Sequence, residues 1–570
     1  MEKKHKKIGL PKLLLLGFLI GLGTFILSMT MVRSGLSKEY GVGFWGPNGH
    51  DGVWHLALQN QVAKSIPPQN PVYSGESLVN YHFFYDLLVV WIAKILALSN
   101  SLVYFQLMPV VTAFLIGLLS FLVGFFWKKD YWVGFWLVFF NYFAGSLGWI
   151  VTLLRSAEIG GESMFWSMQS ISTLINPPFA LSLVVILAGS LCLVSRKKTI
   201  LNLVLAGLLF GFVVNIKAYG GLVVLTGLFF LSVYKLIKNK DKKMIFVWLG
   251  AVLLSLVTFL LKNRQSAGLF EFNPLWFVNS MIESSGRLYI PRLASARYNL
   301  GLAGLGPKLV LIEAFSLFVF VLGNMGTRVL GFFEVAKKII RNEIGDFDWF
   351  LLSSMLVGFL IPLFFTQKGT AWNTIQFFYY FLFFANFYTA EFAARLSSGL
   401  KTGQFLPVVV LIMIFTLPTT YSTAKGYFGK TPATYIPKFE LEALKFLKNQ
   451  PDGVVLVYPY NKYDKDGLKT PLPLRFYETT AYVSAYSGNE VYLEDEMNNE
   501  ITEYDWQKRK NQAIEFFENN DPITARGFLL NNNIDYIYLV GDQSYSLADD
   551  QLGLEVIFVN QQAKIVKVKK

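Results

Sequence analysis

The stretch GPNGHDGVWHLAL places a carboxylate, Asp51, between two imidazoles, His50 and His55, and three of the four histidines in the chain fall between positions 50 and 82. Such a set can do three kinds of chemistry. Asp51 can act as a general base on an acceptor hydroxyl, the histidines can orient that acceptor or share its proton, and the three side chains together can bind a divalent metal. If a helix starts here, Asp51 and His55 lie one turn apart on one face. Asp51 could also cap that helix, since GHDGVWHLALQNQVAK has good N-terminal signals, and one residue can do both. The same region holds Glu76, His82 and Asp86, a concentration of ionisable groups in a chain that is 53% hydrophobic and only 16% charged.

The elements that must position these residues are mostly membrane helices. Apolar runs of bilayer-spanning length recur along the chain. Spans are expected at 12–32, 103–127, 131–154, 177–195, 199–215, 218–235, 244–262, 309–327, 348–366, 375–393 and 404–420, about eleven in all. The fold class is therefore a polytopic α-helical membrane protein. A small C-terminal α/β soluble domain follows, with a boundary between 1–420 and 421–570. In the tail, 453–459, 534–540, 554–560 and 563–569 read as strands, the last two as a hairpin, and 439–449 and 506–518 read as helices. The first span, 12–32, is longer than a signal-peptide core and is expected to stay as an anchor. The single Cys192 lies inside a span, so no intramolecular disulfide can form.

Charge distribution sets the orientation. The net charge of +13 belongs to the membrane part, while the tail from Thr431 has an acidic excess. Nucleic acid is therefore excluded as the partner. The basic residues cluster at 3–7, 128–129, 196–198, 235–243, 337–341 and 395–401. With a cytoplasmic N-terminus, all of these fall inside a cytoplasmic membrane and the loops 33–102, 155–176, 263–308 and 367–374 fall outside with the tail. Residues 83–98 are apolar but short, and counting them as a span would invert every later loop, so they are expected to lie along the membrane surface. His82, after Tyr81, is placed at headgroup level. Lys217, at an outer turn with Asn215, could contact an anionic lipid headgroup. The acidic residues gather in the outer loops rather than mid-span, which favours an outward-facing enzyme over an ion-coupled transporter.

This layout resembles the GT-C superfamily of integral-membrane glycosyltransferases, which take a sugar from a polyprenyl-phosphate carrier. In that superfamily an Asp or Glu stands in the first external loop, followed by surface helices and a span ending in basic residues. Here GHDGVWHLAL provides Asp51, NYHFFYDLLVVWIAKILAL resembles the surface helix, and LMPVVTAFLIGLLSFLVGFFWKK resembles the next span. The resemblance covers about residues 10 to 420, and an external tail is common in the superfamily. Two features depart from it. Gly52 follows Asp51 where an acidic pair is usual, and no WWDYG-like motif occurs in the tail, so transfer of a single sugar fits better than transfer of a whole oligosaccharide to asparagine.

The resemblance implies a polyprenyl-phosphate-linked sugar as donor, an unidentified acceptor on the outer face, a bilayer environment, an inverting reaction, no required cofactor and a possible divalent metal. Asp51 is then the base. The departing phosphate needs cationic or hydrogen-bonding groups, for which Arg264, Arg287, Arg292 and Arg297 of loop 263–308 and Lys368, Trp372, Asn373 and Gln376 of TQKGTAWNTIQ are candidates, Arg292 and Lys368 foremost. Glu158 and Glu162 in RSAEIGGESMFW belong either to the same cavity or to a Gly-rich loop. The strip 492–510 either holds an acceptor or is a solvated charged loop. The competing classes are a lipid or polysaccharide transporter and a non-catalytic membrane assembly protein.

Overall fold

The computed structural model describes residues 8–195, 199–260, 270–399 and 402–570. The basic residues at 3–7 and 196–198, Lys401 and Arg264 lie outside them. The chain forms two compact units, one of Met1–Thr30 with Pro109–Phe428 and one of Met31–Met108 with Gly429–Lys570. The outer loop 33–102, assigned above to the membrane domain, thus folds in one unit with the tail.

The first unit is helical. Among the described residues seven helices are long and apolar enough to cross a membrane, or eight if the pair Tyr131–Phe143 and Gly148–Ser156, bent by 45°, is one span. The other expected spans fall on Ile200–Ile216 and Lys243–Phe259, which are shorter, and on Gln376–Gly399. Each of the eleven expected segments thus coincides with a helix. Gln376–Gly399 is central and packs on Tyr131–Phe143, Leu330–Ile340 and Asp346–Phe364. Small residues let backbones approach: a Cβ on Gly124 would lie 2.9 Å from the Gly134 Cα.

The second unit contains two sheets. The five-stranded one runs in the order Leu554–Val559, Ala563–Val568, Ile534–Val540, Val454–Val457, Glu490–Val491. The first two pairings are antiparallel and the last two parallel. Ile534–Val540 is buried at nearly every position, as expected for a central strand covered on both faces. Its apolar residues pack with Phe516, Phe517 and Leu529 from the helices Trp506–Glu518 and Pro522–Asn531. The strands and helices expected in the tail all form, including the closing hairpin.

The smaller sheet binds the loop to the tail. Its strand order is Ser37–Lys38, Gly41–Phe44, Thr434–Pro437, Leu472–Pro473, with Val42 opposite Ile436. Gly41 has φ +126°, and a Cβ there would sit 1.9 Å from the Ile436 carbonyl oxygen, so the close pairing requires glycine. Helix Phe84–Leu96, the expected surface helix, buries Tyr85, Asp86, Val89, Val90 and Ala93 and leaves Trp91 and Ile95 exposed.

Candidate functional site

The turn Gly46–Gly49 leads into helix Asp51–Lys64, with His50 at the cap position. Asp51 does not cap this helix. It is the first helical residue, and its Oδ1 receives a 2.8 Å hydrogen bond from His50 Nδ1. The Asp51 side chain is 52% exposed while that of His50 is only 6% exposed. The second Asp51 oxygen makes no hydrogen bond among the described residues. A base thus stands at the surface with one oxygen oriented from below and the other open. Gly52 is explained by packing, because a Cβ there would lie 2.7 Å from Phe105 Cζ, so the second acidic residue of the resemblance has no room.

The other face of the His50 ring meets the tail. Nε2 lies 3.3 Å from Asp495 Oδ1, and Asp495 is fully buried. Asp495 sits at φ +47° at the start of helix Glu496–Ile501. Its Oδ1 accepts the Asn498 backbone N–H at 3.1 Å and its Oδ2 the Asn498 side-chain amide at 2.7 Å. Burial by itself lowers the His50 pKa, but the adjacent Asp495 and Asp51 carboxylates outweigh it and hold the ring well above its ordinary value. His50 is therefore an imidazolium clasped between two carboxylates. Burial raises Glu478 nearby, the Asp51 and Asp495 charges push it further, and His50 partly offsets them. Glu494, buried and accepting the Val483 and Ser484 N–H groups at 2.9 and 3.2 Å, is pushed up to about 8 mainly by that burial. Glu478, Glu494 and Asp495, with Tyr460 and Tyr482, line a cavity of about 60 Å³.

His55 does not join Asp51. Its Nδ1 bonds both oxygens of Asp86, at 2.9 and 3.1 Å, and Gln59 Nε2 donates to the same carboxylate at 3.1 Å. Asp86 is fully buried and His55 is 5% exposed, enclosed by the rings of Tyr81, Tyr85 and Tyr104. The pair pins helix Asp51–Lys64 to helix Phe84–Leu96. His82 stacks on Tyr81 with ring centroids 4.9 Å apart.

The remaining candidates lie in the first unit. Lys217 is buried and its Nζ lies 5.5 Å from the centre of the Tyr219 ring. Asn373 Nδ2 donates to Tyr219 Oη at 2.9 Å and to Gln367 Oε1 at 2.8 Å. Lys217 and Asn373 are therefore brought together around Tyr219. Gln376 bonds Asn373 and receives a 3.2 Å hydrogen bond from Asn176. Arg292 and Lys368 are exposed. Arg297 is spent on Glu283 at 2.8 Å, and Arg287 stacks on Trp166 at 3.8 Å while donating to the Ser163 carbonyl at 2.8 Å. Glu162 accepts the Gln169 N–H at 2.9 Å and the Thr423 hydroxyl at 2.8 Å, and burial raises its pKa against those bonds. Glu158 is exposed.

A metal held by His50, Asp51 and His55 does not fit this geometry. An imidazolium with both nitrogens turned to carboxylates has no lone pair to give, and His55 is buried among the Tyr81, Tyr85 and Tyr104 rings instead of joining Asp51. Among the described residues no group of three or more His, Cys, Asp or Glu is arranged to hold an ion.

The sequence pattern did not reveal Asp495 or Glu478 as parts of this site. Asp86 was visible as a lone acid in an apolar helix, which is a signal for a buried partner.

No protein-family model matches the sequence, and no curated protein matches it. Solved structures do. The Archaeoglobus fulgidus oligosaccharyltransferase, in a complex with Zn and sulfate, superposes with a TM-score of 0.53 at 14% identity, covering 92% of this chain and 68% of that one. The same organism's oligosaccharyltransferase AglB, with an inhibitory peptide and a dolichol-phosphate, gives 0.51 at 12% identity over 93% and 70%. ArnT from Cupriavidus metallidurans, bound to undecaprenyl phosphate, aligns over 97% of both chains at 11% identity with a TM-score of only 0.37. The chain thus shares a fold with these archaeal oligosaccharyltransferases, as the resemblance to the GT-C superfamily implies.

Proposed function

We propose that the protein is a membrane glycosyltransferase that moves a sugar from a polyprenyl-phosphate carrier to a glycan, lipid or protein acceptor on the outer face of the cell membrane. The observation that carries this reading is the half-exposed Asp51 carboxylate fixed from below by the buried His50 imidazolium. The fold supports it, since AglB was solved with a dolichol-phosphate. A multi-pass orientation with a cytoplasmic N-terminus and an external tail agrees with the basic clusters.

Asp51 takes the proton of the acceptor hydroxyl on its open oxygen as the acceptor oxygen attacks the anomeric carbon. The bond from that carbon to the phosphate oxygen breaks, its electron pair leaves with the polyprenyl phosphate, and attack opposite the leaving group inverts the anomeric centre. His50 orients Asp51 through its 2.8 Å hydrogen bond, and the His55–Asp86 pair fixes the helix that carries it. The candidate cations for the phosphate are the buried Lys217 and the exposed Arg292 and Lys368. Glu158, Glu162 and His82 are assigned no step.

The test is transfer of radiolabelled sugar from a panel of polyprenyl-phosphate donors by the full-length protein in lipid, wild type against Asp51→Asn. Transfer that collapses in the variant supports the assignment. Transfer that survives removes Asp51 as base, and no turnover of any donor sinks the glycosyltransferase reading in favour of a transporter or an assembly protein.

A further inference from the structure

Two broken helices meet inside the membrane unit. The segment Gly306–Ile340 is interrupted by the turn Gly326–Val329, and Tyr131–Phe143 ends at Ala144 before Gly148–Ser156 begins. The breaks pack on each other. The Leu147 N–H donates to the Gly323 carbonyl at 2.8 Å, and a Cβ on Gly326, at φ +53°, would collide with the Gly145 carbonyl oxygen. The turn carries Arg328, which is only 1% exposed. A charge within a membrane bundle is costly, so its partners decide what it is there for.

Arg328 meets no carboxylate among the described residues. Nε donates to Asn386 Oδ1 at 2.9 Å, Nη1 to Gln169 Oε1 at 2.7 Å, and Nη2 to the Ala144 carbonyl and to Ser170 Oγ, both at 3.1 Å. All four acceptors are neutral. Glu162 touches this network through the Gln169 backbone N–H, at 2.9 Å, and not through the guanidinium. A guanidinium keeps its proton in proteins, so the bundle holds a buried positive charge with no counter-charge beside it.

Because arginine only donates, its bonds fix the orientation of the amides around it. Asn386 turns Oδ1 to Arg328, so its Nδ2 donates to Asn141 Oδ1 at 2.8 Å, and Asn141 Nδ2 donates in turn to Ser120 Oγ at 2.7 Å. Gln169 turns Oε1 to Arg328, and its Nε2 donates to the Ser167 carbonyl at 3.1 Å. Arg328 Nη1, Gln169 Nε2, Asn141 Nδ2 and Asn386 Nδ2 each carry two hydrogens and donate one bond, which leaves one N–H apiece without an acceptor among the described residues. The three side-chain carbonyl oxygens each already accept one bond.

All four of these residues line one cavity of about 30 Å³, room for about two water molecules. An uncompensated cation and an excess of N–H donors around a space of this size complement a small anion. Water would accept from the donors but leave the charge without a counter-ion, and a tetrahedral oxyanion needs more room than two waters.

We propose that this cavity binds one halide ion, physiologically chloride, as the counter-ion of Arg328, held by the free Nη1 hydrogen and by the amide N–H groups of Asn141, Gln169 and Asn386. The ion joins the turn Gly326–Val329 to the break after Phe143 and to helix Gln376–Gly399. The site is independent of the glycosyltransferase reading, since it uses no residue given a step there and its test needs no turnover.

The test is anomalous X-ray scattering from crystals of the full-length protein grown in bromide, together with thermal unfolding in detergent in sodium chloride, sodium sulfate or sodium gluconate at matched ionic strength. One bromide peak per chain is expected beside Arg328 Nη1, and chloride is expected to raise the melting temperature by about 2 °C over gluconate. Asn386→Asp puts a carboxylate where Arg328 Nε now meets an amide oxygen. The Asn141 amide can turn over to donate to that carboxylate and accept from the Ser120 hydroxyl, which leaves the network bonded. In this variant the bromide peak disappears and the melting temperature no longer responds to chloride. A wild-type protein without the peak overturns the proposal, whatever the stability of the variant. A chloride response that survives in Asn386→Asp, or that sulfate matches in the wild type, overturns it equally.

Discussion

His50 Nε2 and Asp495 Oδ1 stand 3.3 Å apart, so a residue of the first outer loop and a residue of the tail share one buried charge pair. Folding the tail therefore sets the charge state of the loop. Because folding raises the His50 pKa, the stability it contributes is complete below the ordinary imidazole value near 6.5 and is lost as pH climbs through the raised folded value. With histidine-selective isotope labelling, four ring signals are expected, and that of His50 stays protonated to higher pH than an ordinary imidazole. Asp495→Asn moves it down and costs roughly 3 kcal/mol in urea unfolding, because it leaves a buried charge half-paired. A His50 signal that titrates at the ordinary value in the wild type contradicts the clasp.

Asp51 is half-exposed and bonded to His50 alone among the described residues, so its removal should cost chemistry and little stability. Asp51→Asn is expected to lower sugar transfer by about 10²–10⁴ while the melting temperature stays close to wild type. Extensive chelation with EDTA should leave wild-type transfer unchanged, because His50 already occupies the space between the two carboxylates. Transfer lost on chelation and restored by Mn²⁺ would put a metal into the reaction after all.

The tail's strands were legible because their apolar runs are short and bounded by turns: Ile534–Val540 and the hairpin Leu554–Val559 with Ala563–Val568 need only local pattern. The helices of the membrane unit were legible by length. The site was half legible. His50 and Asp51 adjoin in sequence, but Asp495 lies in an acidic strip that reads equally well as a solvated loop, whereas in the fold it is buried at a φ +47° turn. His55 misled because i, i+4 spacing fixes a face of the helix, not what that face meets. It meets Asp86 on another helix, and the spacing holds no information about that.

The His55–Asp86 pair should behave as a unit. Asp86→Ala strands a buried imidazole and the Gln59 amide, and roughly 3 kcal/mol of stability should go with it. The double variant His55→Phe with Asp86→Leu removes both polar partners and should cost less than the sum of the two single changes. Thermal and urea unfolding of the three proteins measures this. Strict additivity would mean that the 2.9 Å contact is not what couples the two helices.

Glu494 gives a second pH dependence with its own window. Its folded pKa of about 8 lies above the ordinary carboxyl value of 4.5, so the folded state holds the proton more tightly than the unfolded chain. Stability from this group is complete below pH 4.5 and is lost as pH rises through 8, by up to roughly 5 kcal/mol. Glu494→Gln keeps a carbonyl for the Val483 and Ser484 N–H groups and cannot ionise. At pH 5 it should match wild type within about 1 kcal/mol, and at pH 9 it should be the more stable protein by roughly 2 kcal/mol or more. The direction is opposite to that of a salt-bridged carboxylate, whose loss hurts most at high pH. An unfolding series across pH that shows the variant weaker at pH 9 would therefore mean that Glu494 is ionised in the folded protein and held by a cation.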